Sequence, residues 1–320
     1  MSSLYLDKKG LTLRTQKDTL LIYEADRRVA NIPLRLLERL MIIGQIQLTA
    51  SVLGKLGSLG IGVVVLSGLK HEISLLLPAK ADAARRLNQY RHCTQNALPL
   101  AQQLLADKFS TQQAHLHHYQ TTDHSLWQHW HTQINQAKSL ETLLGLEGQA
   151  AKYYWRQLAS LLPAEWLFQG RKKHPAPDPV NALLSLSYTL LYAESVRLLT
   201  AAGLDSSLGF YHQPQANRAS LACDVMEPVR ADIDRWVWQH LLQGTWQASD
   251  FEYQYGACLL HKAQRQAYYP LFEADAAGWR AHLKQEIHTC LNRFNIECAN
   301  TENDTQWQTW AQICRKTSNN

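Results

Sequence analysis

The sequence predicts an α+β protein: a β-strand-rich N-terminal domain over residues 1–77, a linker at 78–82, a larger all-α domain over 83–300 and a polar tail at 301–320. Two observations carry this reading. Up to about residue 77, short apolar runs alternate with turn residues, as in strands. From Asp82 onward the apolar spacing becomes helical, in long runs without Gly or Pro, and Pro78, Ala79 and Lys80 mark the change.

In the first region LYLDKKGLTLRT reads as two strands joined as a hairpin around Lys9 and Gly10. LLIYEA and RRVANI follow as strands. IPLRLLERL reads as one or two helical turns started by Pro33. IIGQIQLT reads as a strand pair about Gly44, SVLGKLGSLG as a short helix, IGVVVLS as a buried strand, and HEISLLL closes the set. Helices are then expected at ADAARRLNQYRHC, LPLAQQLLADKFSTQQAHLHHY, SLETLLGLEGQAAKYYWRQLASLL, DPVNALLSLSYTLLYAESVRLLTAAG, RADIDRWVWQHLLQG and AAGWRAHLKQEIHTCLNRFN. In the fourth, Asp178 is placed as N-cap, Pro179 at the first helical position and Gly203 just past the end.

With 320 residues and 46% hydrophobic residues the chain can bury a large core without disulfides. The net charge of +5 permits nucleic-acid binding without demanding it. Six cysteines without a C-x-x-C pair argue against a zinc ribbon and for free thiols in a reducing cytosol, so a cytoplasmic location is expected. The most apolar run, VNALLSLSYTLLYAESVRLL, carries Asn181, Glu194 and Arg197 and reads as a buried helix rather than a membrane span.

Glycines 57, 60 and 62 lack the G-x-G-x-x-G spacing, and a strand follows where a nucleotide loop needs a helix. The histidines between His115 and His131 lie among Trp127, Trp130 and glutamines, and read as an interhelical surface more than as a metal store. Glu147 precedes Gly148, a helical choice that costs about 1 kcal/mol against Ala and lets a backbone or ligand come close, although by position and composition alone Glu147 reads as a solvated surface acid. In GFYHQPQANRASLACDVMEPVR, residues 209–230, His212 lies in a polar loop. Asp224 and Glu227 are three apart at what reads as the start of a helix, on one face. The flanking LAC and VM predict burial, and buried acids need a partner. From chemistry alone that partner is either a metal ion or an arginine: Arg218, Arg230 or Arg235.

Several blocks together resemble one family. RKKHPAPDPVNALLSLSYTLLY, AAGLDSSLGFYH and SLACDVMEPVR, with GLEGQAAKYYW before them, look like the signature of the Cas-one family of CRISPR-associated integrases. LYLxxxGL, IPLxxLxRLMIIGQIQLT and GIGVVVLS match its N-terminal pattern, so the resemblance covers residues 3 to about 295. It implies a strand-rich domain for dimerisation and DNA contact, then a helical catalytic domain. Tyr211, where Leu or Val often precedes the histidine, and Cys223 are departures that remove no ligand.

The resemblance implies a metal-dependent endonuclease and integrase that inserts spacers into a CRISPR array. A DNA 3′-hydroxyl attacks a phosphodiester without a covalent protein intermediate. Glu147, His212 and Glu227 are implied as ligands of Mg²⁺ or Mn²⁺. Asp224 matches a further catalytic acid that supports the site or contacts the metal. Arg171, Lys172, Lys173, Arg218 and Arg230 are expected to contact phosphates. Implied partners are double-stranded DNA (protospacer and repeat array), a second copy of the chain and a small ferredoxin-like companion subunit, with no membrane. The alternatives are a structure-specific nuclease on branched DNA and a non-catalytic DNA-binding scaffold.

Overall fold

The computed structural model describes residues 2–67, 72–77, 82–172 and 175–294. Residues 78–81 of the expected linker, Lys173 and the 301–320 tail lie outside these. In chain order the first elements are β1 (Ser2–Leu6), β2 (Leu11–Gln16), β3 (Thr19–Glu24), β4 (Arg27–Pro33), β5 (Leu37–Ile42), β6 (Ile46–Leu48), α1 (Ala50–Ser58), β7 (Gly62–Ser67) and β8 (Glu72–Leu76). Then come α2 (Ala83–Gln95), α3 (Ala97–Tyr119), α4 (His124–Gln136), α5 (Leu140–Ala159), α6 (Pro179–Ala201), α7 (Ser220–Met226) and α8 (Arg230–Leu242). They are followed by β9 (Phe251–Gln254), β10 (Ala257–Leu260), α9 (Lys262–Ala274) and α10 (Ala276–Phe294).

Two compact units result. The first is Met1–Lys80 with Lys262–Ala277, and the second is Ala81–His261 with Gly278–Asn320. The first holds two four-stranded sheets, ordered β1-β5-β7-β8 and β4-β3-β2-β6. Leu13, Leu20, Leu34, Leu40, Val52, Leu56 and Val63 form its core. α9 joins this unit through the Tyr5–Tyr269 ring stack, with centroids 4.9 Å apart, and the 2.8 Å Arg265–Asp7 bridge. It thus interrupts the 83–300 helical span.

Three local expectations are corrected here. β1 and β2 do not form a hairpin: β1 pairs in parallel with β5, and β2 pairs with β3 and β6 in the other sheet. β5 and β6, the strands about Gly44, likewise separate into the two sheets. Gly44 is needed there because a Cβ would stand 2.6 Å from the Lys8 carbonyl oxygen. The helix expected in IPLRLLERL shrinks to a 3₁₀ turn at Leu34–Leu36, and β5 begins at Leu37. β5 sits between two parallel partners with Leu37, Leu40, Met41 and Ile42 buried, a near-continuous apolar run that mimics helical spacing.

The second unit is mainly helical, with one hairpin, β9–β10, inside the span read as all-α. α6 is buried on most sides, so its sequence is apolar nearly throughout. Asp178 caps it, accepting the Asn181 amide at 2.8 Å, and Gly203 follows its end at φ +80°. Trp127 and Trp130 of α4 pack edge-on against Phe109 of α3, while of the segment's histidines His115 is buried and His117, His118, His124 and His129 are exposed. No helix among the described residues is long and apolar enough to cross a membrane. Cys93, Cys223, Cys258 and Cys290 are free thiols.

Candidate active site: an acid pair, a caged imidazole and a buried lysine

α3, α5, α6 and α8, with the loop before α7, surround a cavity of about 690 Å³. Its lining includes Lys108, Glu147, Arg171, His212, Glu227 and Arg230. The loop is held in place by Asp224, which is fully buried. One carboxylate oxygen accepts the backbone amides of Phe210 and Tyr211 at 2.7 and 3.1 Å. The other accepts the His212 amide at 2.8 Å and the His212 Nδ1 at 2.7 Å. Donation to this carboxylate places a proton on Nδ1 and leaves Nε2 on the Glu227 side, 3.9 Å from the Glu227 carboxylate. Gly209 makes this possible: a Cβ there would lie 2.5 Å from the Asp224 carboxylate and 2.8 Å from the Ser220 carbonyl carbon.

Asp224 and Glu227 do not begin a helix, as the sequence implied; they end one. α7 stops at Met226, Glu227 is its C-cap, and Pro228 turns the chain. Asp224 therefore faces the loop amides, whereas Glu227 faces α3. The Lys108 ammonium donates to Glu227 Oε2 at 2.6 Å and to Glu147 Oε1 at 2.5 Å. The remaining oxygen of Glu147 accepts the Tyr211 hydroxyl at 2.5 Å, so this departure from the family pattern contributes a site contact. The remaining oxygen of Glu227 meets Arg230 Nε at 3.0 Å, with His212 Nε2 3.9 Å away. Burial opposes charge on Lys108, but the Glu227 and Glu147 carboxylates outweigh it and raise its pKa. Burial likewise opposes charge on Glu227, and Arg230 and Lys108 hold its carboxyl well below the usual range.

Behind this layer, Asp234 accepts the Tyr188 and Tyr154 hydroxyls, the latter at 2.8 Å. Tyr154 also bonds His115 Nδ1 at 2.6 Å. Burial pushes the Asp234 carboxyl up to about 7 and the His115 imidazole down to about 3. The Tyr188 ring carries the Arg230 and Arg171 guanidiniums at 4.5 and 5.4 Å, which fixes two cations on the cavity wall.

The structure thus brings Glu147, His212, Asp224 and Glu227 together. Arg171, Lys172 and Arg230 line the cavity, and Lys152 and Arg156 join them. Arg218 instead braces the loop by donating to the Gln213 carbonyl and the Ser220 hydroxyl. Gly148 has open space where its Cβ would be, so no close approach explains it. Among the described residues no three His, Cys, Asp or Glu side chains are arranged to hold a metal ion. The point where the two glutamates converge is taken by the Lys108 ammonium. Sequence reasoning passed over Lys108, Gln112, Tyr188 and Asp234. One signal was available: Lys108, Gln112 and His115 interrupt, at helical spacing, the buried apolar stripe of α3.

A profile of the CRISPR associated protein Cas1 family matches residues 4–274. The CRISPR-associated endonuclease Cas1 1 of Thermodesulfovibrio yellowstonii is 33% identical over 309 residues, 92% of this chain and 97% of the relative. Among solved structures, a Cas1 protein from Thermotoga maritima superposes with a TM-score of 0.83 at 20% identity, covering 94% of this chain and all of that one. A chain of a Cas6-RT-Cas1–Cas2 complex gives 0.77 at 24% identity, covering 92% of this chain and 35% of the longer one. A casposase bound to integration product gives 0.71 at 22% identity, covering 98% and 88%. By profile, by identity over nearly its full length and by its strand-then-helix architecture, the chain belongs to the Cas1 family of CRISPR-associated proteins, whose curated relatives are named endonucleases.

Proposed function

We propose that this chain joins DNA ends to a CRISPR array, by attack of a DNA 3′-hydroxyl on a phosphodiester at the cavity of the second unit. The convergence of the Glu147 and Glu227 carboxylates on one buried cation, beside an imidazole fixed by Asp224, carries the reading. The donor set fits an oxygen-preferring divalent ion, Mg²⁺ or Mn²⁺: two carboxylates already share an ammonium, and His212 offers an open Nε2. Glu147, Glu227 and His212 would hold it. Such an ion supplies positive charge that polarises a phosphate and stabilises an alkoxide.

The chain's own residues perform the positioning. Arg171, Lys172 and Arg230 place cations on the wall, where they set DNA phosphates without reading bases. Asp224 keeps the His212 proton on Nδ1. No side chain needs to act as a nucleophile, because attacking and leaving oxygens both belong to DNA. The relative solved as a casposase bound to integration product and the one solved with Cas2 support joining, and a small companion subunit, as readings for this chain. A second copy of the chain is proposed on family grounds.

The test is a joining assay on a labelled repeat-containing duplex with a short 3′-hydroxyl fragment. Glu227→Gln is expected to abolish joining while DNA affinity changes less than about threefold, because the phosphate contacts survive. Cutting without joining by the unaltered chain on the same branched substrate supports the nuclease alternative. Joining by Glu227→Gln at the unaltered rate removes this site from the reaction.

A further inference from the structure

Lys108 is an unusual neighbour for two carboxylates offered to a divalent ion. Its side chain is 9% exposed, and its ammonium lies 2.5 Å from one glutamate and 2.6 Å from the other. The oxygens that face it are those pointing into the space between Glu147 and Glu227. Each glutamate's other oxygen is engaged elsewhere, by Tyr211 or by Arg230. One turn along α3, Gln112 lines the same cavity with its Oε1 buried and without a partner among the described residues. The inner wall of the site is thus built by a helix that no motif marked.

We infer that Lys108 is the site's resident counter-cation, which holds Glu147 and Glu227 together and competes with the divalent ion for the same two oxygens. The inference rests on the metal reading proposed above and adds the threshold at which the ion is taken up. Two carboxylates this close, Glu227 buried and Glu147 half-buried, repel each other, and without a cation they would swing apart or draw in water. The ammonium neutralises them from a flexible stem of four carbons. A charge of +1 within about 4 Å of a bound +2 ion opposes that ion's binding even where the local dielectric response is strong. Lys108 therefore lowers affinity for the divalent ion while preserving the geometry that receives it. It is a positioning residue, since it acts through the two glutamates.

Mn²⁺ binding to the full chain without DNA, followed by electron paramagnetic resonance of the free ion, reads this directly. Lys108→Met is expected to bind Mn²⁺ at least about tenfold more tightly, because a competing charge is gone. Its melting temperature without metal falls and recovers with Mn²⁺. Lys108→Arg keeps the charge and stays within about threefold of the unaltered affinity. Lys108→Met combined with Glu227→Gln loses the gain. The sign is decisive, since damage to the fold weakens ion binding and cannot strengthen it. Where Lys108→Met fails to fold, Lys108→Gln carries the same test. Tight Mn²⁺ binding by the unaltered chain with equal or weaker binding by the neutral variant overturns the inference alone. No Mn²⁺ binding by any of these chains overturns the metal site with it.

Discussion

Replacing Asp224 by Asn keeps the shape of the side chain and removes one of its two acceptor oxygens, so it separates scaffolding from direct chemistry. Asp224 accepts four hydrogen bonds, two on each oxygen, all in a buried setting. An amide has two ways to fit. With its carbonyl towards His212, its NH₂ faces the Phe210 and Tyr211 amides and leaves two buried donors unsatisfied, at about 1–3 kcal/mol each. With its carbonyl towards Phe210 and Tyr211, only the His212 amide is lost, but the imidazole must accept through Nδ1 and carry its proton on Nε2. The second arrangement is the less costly, at about 1–3 kcal/mol, so it is the one expected. It closes the lone pair that His212 offers to a cation. Urea denaturation should therefore show a loss of about 1–3 kcal/mol, and Mn²⁺ affinity should fall about 10–100-fold, the range typical when a ligand's supporting partner is removed. Nitrogen-resolved NMR of the labelled histidines reads the tautomer. A folded Asp224→Asn chain with unchanged Mn²⁺ affinity and Nε2 still unprotonated would refute the reasoning.

Three further outcomes follow from neighbouring contacts. Gly209→Ala puts a Cβ against the Asp224 carboxylate and the Ser220 backbone, and should cost about 1–3 kcal/mol in thermal or urea unfolding, with joining lost in the folded fraction. Tyr188→Phe removes a donor to Asp234 but keeps the ring under Arg171 and Arg230, so it should lower stability and leave DNA affinity unchanged; Tyr188→Leu should weaken both, read by fluorescence anisotropy at fixed salt. Asp234 has its carboxyl raised to about 7 by burial, so the folded chain binds more protons than the unfolded one between about pH 4 and 7, and this group makes stability fall as pH rises, by about 4 kcal/mol. His115, lowered to about 3 by burial, acts in the opposite direction between about pH 3 and 6.5. Asp234→Asn should therefore add a rising slope to stability against pH over that window, and a slope equal to that of the unaltered chain would refute the assignment.

How much of this was legible in the sequence depends on whether the signal is local. Most long helices of the second unit were, because capping and period are written within a few residues: Asp178, Pro179 and Gly203 each stand where α6 needs them, whereas α4 lay in a stretch read only as a His-rich surface. The two-sheet arrangement of the first unit was not. β1 and β2 are separated by a turn with Gly10 at φ +78°, which has the chemistry of a hairpin, yet β1 finds its partner more than thirty residues away in β5. Turn residues report a change of direction, and they do not report which neighbour a strand will choose. α9 was missed altogether: no helix was expected over 262–274, where Pro270 inside the element hides the helical signal.

The site follows the same rule with an added twist. Glu147, His212, Asp224 and Glu227 were assigned because the blocks that carry them resemble the family signature, but the inference that Asp224 and Glu227 share a helical face gave a misleading picture of what they do. Pro228 ends the helix between them and the next turn, so one acid closes on the loop and the other on α3. Their chemistry diverges accordingly: Asp224 meets backbone amides and an imidazole, whereas Glu227 meets two side-chain cations. The cation that decides the electrostatics of the pair, Lys108, sits in an ordinary amphipathic stretch and becomes visible only when α3 and α5 are packed. A buried lysine on an otherwise apolar stripe is costly without an acid partner, and the sequence contains that cost even though it does not name the acid. The rule that follows is physical: each charged residue that periodicity places inward implies an opposite charge on another element. Applied to α3, it marks Lys108 as a residue that needs an acid from another element, and the packing supplies Glu147 and Glu227.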